Sequence, residues 1–135
     1  MNYSNSPEKM LLLMQPPFLQ GVATPIQELP VHDWGIFGKY EYLGAGTPYA
    51  LKREAGIKPR NDLDRIAMYH DSQYEFSKQH NQVVRNYERA VFDIGAGAVM
   101  ISQNTDFSII AGTALVSQGL IRVTPLGMIL DLLFY

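Results

Sequence analysis

The chain has 135 residues, of which 47% are hydrophobic and 18% are charged, and its formal net charge is -2. This length and composition predict one globular domain with an ordinary core and argue against a disordered chain. The balance of charge offers no basic face for nucleic acid, and the absence of cysteine excludes disulfides and thiolate metal sites.

The N-terminal segment, residues 1–39, is rich in proline. Only a short helix at about residues 7–14, with Ser6 as its N-cap, is predicted there. The apolar run at residues 10–14 lacks the features of a secretory signal. No uncharged run reaches the roughly 18 residues of a transmembrane helix. We therefore expect neither a signal peptide nor a membrane-spanning helix.

Residues 32–58 are predicted to be loop and turn, because glycine and proline recur throughout them. The first strong helix follows Pro59, with Asn61 as N-cap and Asp64 three residues later in a relation like a capping box. Its apolar side chains recur at helical spacing, and His70 falls on the same stripe. The stripe consists of Leu63, Ile66, Ala67 and Tyr74.

A second helix is predicted from about residue 81 to residue 100, and the short polar connection makes it an antiparallel neighbour of the first. One face of this helix carries Val83, Val84, Tyr87, Ala90, Val91 and Ile94. A turn at residues 103–106 then precedes two apolar helical candidates, residues 107–121 and 126–135. This apolar tail is more typical of a core or of contacts between copies than of membrane insertion, because charges and a proline interrupt it.

Two short stretches carry groups suited to calcium-assisted hydrolysis. In the turn Y-L-G-A-G at residues 42–46, glycine permits backbone angles that would let the alternate carbonyls of Tyr42, Gly44 and Gly46 converge. Asp71 offers a hard carboxylate ligand of the kind that calcium prefers. Beside such a cation, the His70 imidazole would activate water and the metal would stabilise the oxyanion, so that an ester is hydrolysed without a covalent intermediate.

His70 needs an orienting partner if it is to act as a base. The antiparallel second helix offers Asp93, and Glu88 is the weaker candidate because it lies away from the apolar stripe. Tyr74 lies four residues after His70 and is its neighbour on one helix face. A lone histidine on such a face is more often a core residue. The second His-Asp pair, His32-Asp33, lacks the helical context and is interpreted as structural.

The Y-L-G-x-G turn, followed at residues 59–74 by P-x-N-x-x-D-x-x-A-x-x-H-D-x-x-Y, resembles the phospholipase A2-like domain of parvovirus-type capsid proteins. The resemblance covers roughly residues 40–94. It implies a mainly α fold with two antiparallel core helices and a calcium-binding loop, to which this chain adds an apolar helical C-terminal extension. Residues 1–135 would form a single domain with its catalytic core at 40–100 and its apolar C-terminal segment at 101–135.

The resemblance also implies roles for individual residues. Calcium would be bound by the carbonyls of Tyr42, Gly44 and Gly46 and by the Asp71 carboxylate. His70 would be the base, and its implied supporting groups are Asp93 as orienting acid, Tyr74 as a hydrogen-bonding partner and the Gly44 N–H as oxyanion donor. The chain departs from the family pattern at Ala45 and Thr47 and in the segment after Asp93.

The implied function is hydrolysis of the sn-2 ester of glycerophospholipids at a membrane surface, by a virion protein that breaches host membranes during entry. Leu11 to Leu13, Phe18 or the apolar tail would dock on lipid, and the tail could instead contact capsid subunits or another copy. A catalytically silent structural or membrane-interacting virion protein is the alternative. No nucleic-acid partner is expected.

Overall fold

A computed structural model of the chain describes residues 29–127 and residue 129. The helix predicted at residues 7–14, the proposed lipid-docking residues Leu11 to Leu13 and Phe18, and most of the helix predicted at 126–135 lie outside the described residues. Within the described part the fold is mainly helical, as the sequence predicts.

From residue 32 to residue 122 the chain forms a small hairpin followed by four α-helices. Strand β1 (His32–Asp33) pairs antiparallel with β2 (Lys39–Tyr40), and a 3-10 turn (Gly35–Phe37) joins them. The helices are α1 (Tyr49–Glu54), α2 (Asp62–Ser77), α3 (Gln82–Ser102) and α4 (Asp106–Arg122). The prediction of loop throughout residues 32–58 is wrong at the hairpin and at α1, since the many glycines and prolines punctuate short elements without preventing them.

Side-chain caps set where the three long helices begin. Asn61 accepts a hydrogen bond from the N–H of Asp64 at the start of α2, which confirms the predicted cap, and Asn81 caps α3 in the same way. Thr105 and Ser108 form a reciprocal capping box at the start of α4. Asp64 does not complete such a box, because its carboxylate binds backbone N–H groups of the loop before α2.

Helices α2 and α3 pack as antiparallel neighbours. Early α3 meets late α2, where the Arg89 side chain donates to the Ser77 hydroxyl over 2.9 Å. Further along α3, Asp93 lies 2.6 Å from His70, which is closer to the start of α2. This register carries the central part of α3 over the His70 side chain.

The face of α3 that packs on the rest of the fold differs from the apolar face seen in the sequence. Of the predicted apolar face, Val83, Val84, Tyr87 and Val91 are exposed, whereas Ala90 is buried. The buried face carries Asn86, Arg89, Ala90, Asp93, Ala96, Gly97 and Met100. Hydrogen bonds satisfy the buried polar side chains, and the small residues admit a neighbouring helix, so periodic hydrophobicity alone does not identify the packed face.

That neighbouring helix is α4, whose backbone touches the backbone of α3 through glycines. A methyl group on Gly97 would lie 2.6 Å from the Gly112 carbonyl oxygen, and one on Gly119 would lie 2.8 Å from the Ala90 carbonyl oxygen. No side chain fits at these points without moving the helices apart. Close helix packing is therefore the role of Gly97, whereas Gly95 faces open space.

Phe107 at the start of α4 connects this helical pair to the hairpin. Its ring stacks on Phe37 with centroids 4.6 Å apart and also contacts Trp34 and Tyr40. The core continues from there through Tyr42, Leu63 and Met100. Within the described part of the chain, no helix has the length and apolarity needed to cross a membrane.

Candidate active site

His70 and Asp93 form a buried pair between α2 and α3. The His70 Nε2 atom lies 2.6 Å from Asp93 Oδ1, and the Asp93 side chain is 0% exposed. A carboxylate only accepts hydrogen bonds, so Asp93 selects the imidazole tautomer that carries its proton on Nε2. The other ring nitrogen, Nδ1, then keeps its lone pair and can take a proton from water.

Asp93 is the centre of a larger polar cluster. The Tyr74 hydroxyl donates to Asp93 Oδ1 over 2.6 Å, as expected for a supporting hydrogen-bonder. On the other carboxylate oxygen, Oδ2 accepts from Gln118 Nε2 at 3.0 Å and from Arg122 Nε at 3.1 Å. Gln118 also donates to the Tyr74 hydroxyl over 3.2 Å. These contacts hold Asp93 rigidly and place the charge of Arg122 against it, which satisfies a carboxylate that would otherwise be costly to bury.

The sequence interpretation missed Gln118 and Arg122. Both lie on α4, in the apolar tail that was placed outside the catalytic core. The available signal is their polarity, because Gln118 lies within the long uncharged run that begins at Phe107 and Arg122 comes directly after it. Glu88, the weaker candidate partner for His70, instead lies 2.5 Å from His80 at the turn between α2 and α3.

The loop before α1 is held from its N-terminal side by Asp64. The Asp64 carboxylate accepts from the backbone N–H groups of Glu41 at 3.0 Å, Tyr42 at 2.8 Å and Arg60 at 2.9 Å. The buried Lys52 ammonium donates to the Glu41 carbonyl over 2.6 Å and pairs with the Glu41 carboxylate at 3.1 Å. These bonds fix the direction of the chain as it enters the Y-L-G-A-G turn.

Two carbonyls of the turn converge on one point, the Thr47 hydroxyl. Thr47 Oγ1 lies 3.0 Å from the Gly44 carbonyl oxygen and 3.3 Å from the Tyr42 carbonyl oxygen. The intervening Leu43 carbonyl accepts from Trp34 Nε1 instead, over 2.7 Å. Alternate carbonyls therefore share a side, as the sequence predicts for Tyr42 and Gly44. Gly46, with φ of 74°, has the left-handed backbone that reverses the chain after them.

His32 lies behind the turn and packs against Gly44. A methyl group on Gly44 would overlap the His32 ring, so this position requires glycine for the close approach. His32 Nε2 lies 2.7 Å from Thr47 Oγ1. Burial, followed by the nearby Lys52 charge, lowers the pKa of His32, which favours the neutral ring. His32 therefore has a structural role, because it packs against the turn and contacts Thr47.

Asp71 points into the same region with an unmet hydrogen-bonding need. Its Oδ2 atom is buried and has no hydrogen-bond partner among the described residues, while Oδ1 lies 4.0 Å from His70 Nδ1. Burial, followed by repulsion from Asp64, raises the pKa of Asp71 to about 8. An unpaired buried carboxylate oxygen on a residue that lines the same cavity as the turn fits a hard cation, which would satisfy the oxygen and favour its charged form.

The donor set is suited to calcium and unsuited to softer metals. It consists of neutral backbone oxygens and one carboxylate, and calcium accepts such oxygen ligands in a flexible geometry. Within residues 29–127 and residue 129, no cluster of three or more His, Cys, Asp or Glu side chains is arranged to hold a metal. A cation at this position would therefore depend on the loop carbonyls for most of its protein ligands.

A cavity of about 810 Å³ joins these groups. The predicted residues that line it are Tyr42, Gly44, Gly46, His70, Asp71 and Tyr74. Asp93 lies behind His70 and Tyr74. Much of the remaining wall is apolar and includes Trp34, Met100, Phe107, Ile110 and Leu115, so α4 forms one side. A concave, mostly apolar cavity with a few convergent polar groups is typical of a site for a largely apolar small molecule.

Comparisons of the chain with protein-family models, with curated proteins and with solved structures gave no match. Interpretation of the cavity consequently depends on its own geometry and on the motif resemblance.

Proposed function

We propose that this protein is a calcium-dependent esterase of the phospholipase A2 type that hydrolyses the sn-2 ester of glycerophospholipids. The observation that carries the proposal is the meeting of three features in one cavity. They are a histidine with its Nδ1 available, a buried unpaired oxygen of Asp71, and a turn whose Tyr42 and Gly44 carbonyls converge. The mainly helical fold with its antiparallel α2 and α3 agrees with a phospholipase A2-like arrangement.

In the proposed reaction His70 acts as general base. Asp93 holds Nε2–H, so Nδ1 takes a proton from a water molecule as the water oxygen attacks the ester carbonyl carbon. The Gly44 N–H donates to the oxyanion that forms. Calcium held by the turn carbonyls and Asp71 would supply further stabilisation of that negative charge. His70 then returns the proton to the departing glycerol oxygen, which releases a free fatty acid and a lysophospholipid.

The polar cluster around Asp93 supports this reaction because it limits the motion of the Asp93 carboxylate and of the His70 ring. The imidazole becomes positively charged when it takes the proton, and Asp93 stabilises that charge at 2.6 Å. Tyr74, Gln118 and Arg122 fix both oxygens of Asp93, so the carboxylate cannot rotate away from the ring. Catalytic groups held in this way need little reorganisation during reaction.

The choice of a lipid substrate is supported by the apolar wall of the cavity and by its rim. Trp34 and Ile110 line the cavity and are exposed, and Ile36 in the neighbouring 3-10 turn is 95% exposed. An isoleucine on a tight turn beside an apolar cavity is suited to contact a lipid surface, and tryptophan favours the membrane–water interface. The proposed biological setting, entry of a virion through a host membrane, is an implication of the motif resemblance.

The direct test measures fatty acid released from mixed phospholipid vesicles with calcium and with a chelator. We expect release by the wild-type protein only with calcium, and a fall of about a thousandfold in the variant His70→Ala. His80→Ala is the matched control, because His80 lies at the α2–α3 turn and does not line the cavity. Release that persists in chelator and in His70→Ala would contradict the proposal.

A second candidate is a catalytically silent virion protein that uses the same fold to contact a membrane or another subunit. The exposed apolar stripe of α3, which includes Tyr87 and Val91, favours it, because this surface lies opposite the buried face of the helix. Calcium distinguishes the two functions. A ligand that binds only the folded state must raise the unfolding temperature, and a silent relative without the metal site shows no such rise.

A further inference from the structure

We propose that the Thr47 hydroxyl is an additional ligand of the bound calcium and that His32 accepts the hydrogen bond which this hydroxyl then donates. The inference rests on the proposed calcium site. It starts from one observation: the same Thr47 oxygen contacts both converging carbonyls, Gly44 at 3.0 Å and Tyr42 at 3.3 Å, and also His32 Nε2 at 2.7 Å.

Without a cation, the arrangement in which Thr47 donates to a carbonyl and accepts from His32 forms two hydrogen bonds in this cluster, whereas a Thr47 proton that points to His32 forms one. A threonine hydroxyl has one proton to donate and lone pairs with which to accept. The two carbonyls can only accept, so in the arrangement with two hydrogen bonds the Thr47 proton points to one of them. Thr47 then accepts from His32, and His32 must carry its proton on Nε2.

A cation reverses this arrangement. Carbonyl oxygens that coordinate calcium no longer need the Thr47 proton, and a hydroxyl can coordinate only if its proton points away from the metal. Apart from the two carbonyls, the described residue that Thr47 Oγ1 contacts is His32, whose Nε2 lies at 2.7 Å and can accept the Thr47 proton when it carries none of its own. The Thr47 proton therefore turns to His32, whose own proton must move to Nδ1, and a lone pair of Thr47 faces the cation.

The position of His32 is fixed well enough for this role. Its backbone pairs with Tyr40 in the β1–β2 hairpin, and its ring packs against Gly44, where no side chain could be added. Thr47 and His32 therefore move little relative to the turn, and the exchange requires only proton rearrangement. The groups orienting a metal ligand commonly change affinity by about tenfold or more when they are removed.

Calcium binding to the 135-residue chain, measured by isothermal titration calorimetry, tests the assignment without any activity assay. Thr47→Val removes the hydroxyl at nearly constant shape, and we expect about tenfold weaker binding. Thr47→Ser keeps the hydroxyl and should bind within about threefold of the wild type. His32→Phe should weaken binding like Thr47→Val, and Thr113→Val, at an exposed threonine of α4, should leave it unchanged.

Nitrogen-15 NMR of the wild-type histidines gives a second measurement, which would not change on addition of calcium if Thr47 and His32 had only a structural role. We expect the protonated nitrogen of His32 to change from Nε2 to Nδ1 when calcium is added. This measurement also covers the case in which Thr47→Val fails to fold. A calcium-binding wild type with an unchanged His32 tautomer, or undiminished binding by Thr47→Val, overturns the Thr47 assignment alone. A wild type that binds no calcium overturns the proposed function as well.

Discussion

Replacing Asp71 with asparagine should stabilise the calcium-free protein at neutral pH while abolishing its response to calcium. The pKa of Asp71 is about 8 in the folded protein against an ordinary value of 3.8. Between these values the folded protein keeps a proton that the unfolded chain releases. Its free energy of unfolding therefore falls by about 1.4 kcal/mol per pH unit as the pH rises.

The magnitude follows from this pH window. From about pH 4 to pH 7, Asp71 removes up to roughly 4 kcal/mol of stability, and the loss is complete only above the folded pKa. Asp71→Asn has no proton to release, so at pH 7 in chelator it should be more stable than the wild type by roughly 2–4 kcal/mol. At pH 4 the wild type and Asp71→Asn should have nearly equal free energies of unfolding.

Urea unfolding in chelator at several values between pH 4 and pH 8 measures the effect. Calcium at about 100 times its dissociation constant should add about 2.7 kcal/mol to the wild type and nothing to Asp71→Asn. The reasoning is refuted if both proteins show the same pH dependence, or if Asp71→Asn is the less stable protein at pH 7 in chelator.

Three further predictions concern the helical pair, the rim and the cluster behind His70. Gly97→Ala should lower the free energy of unfolding by about 1–3 kcal/mol, because the added methyl group meets the α4 backbone. Gly95→Ala faces open space and should raise the free energy of unfolding by up to about 1 kcal/mol. Urea unfolding that ranks the two variants in the reverse order would contradict this helix packing. Ile36→Ser should reduce vesicle binding in a flotation assay with little effect on hydrolysis of a soluble short-chain ester. Val91→Ser, at an exposed position of α3, is the control. Equal losses of vesicle binding in both variants would argue against lipid contact at the rim of the cavity. Gln118→Leu should lower kcat about tenfold with KM nearly unchanged, since Asp93 and Tyr74 lose a shared donor, and a change confined to KM would be inconsistent with that role.

The sequence pattern predicted the part of the site that depends on helical periodicity. His70, Asp71 and Tyr74 lie on one helix at fixed spacings, and a short connection makes the next helix antiparallel. Asp93 then falls opposite His70. The alternation of carbonyls in the Y-L-G-A-G turn was predictable in the same local way, for Tyr42 and Gly44, because it follows from backbone geometry.

What the pattern could not predict depends on contacts between distant segments. The packed face of α3 is mostly polar or small, with Arg89 and Asp93 satisfied by other helices and Gly97 in contact with α4, so the predicted apolar stripe shares only Ala90 with the buried residues. Gln118 reaches Asp93 only because α4 folds back along α3. The polarity of Gln118 and Arg122 is a local signal in residues 101–135, but hydrophobic periodicity does not indicate which distant groups they reach.

The central claim, that water activated by His70 attacks the sn-2 ester with calcium present, is tested most directly by product analysis in heavy-oxygen water. The substrate is a phosphatidylcholine with different acyl chains at its two positions, and mass spectrometry identifies the released acid. We predict that only the sn-2 acid is released, that it carries heavy oxygen, and that its release requires calcium. Release of the sn-1 acid, or of either acid at the same rate in chelator, would contradict the account.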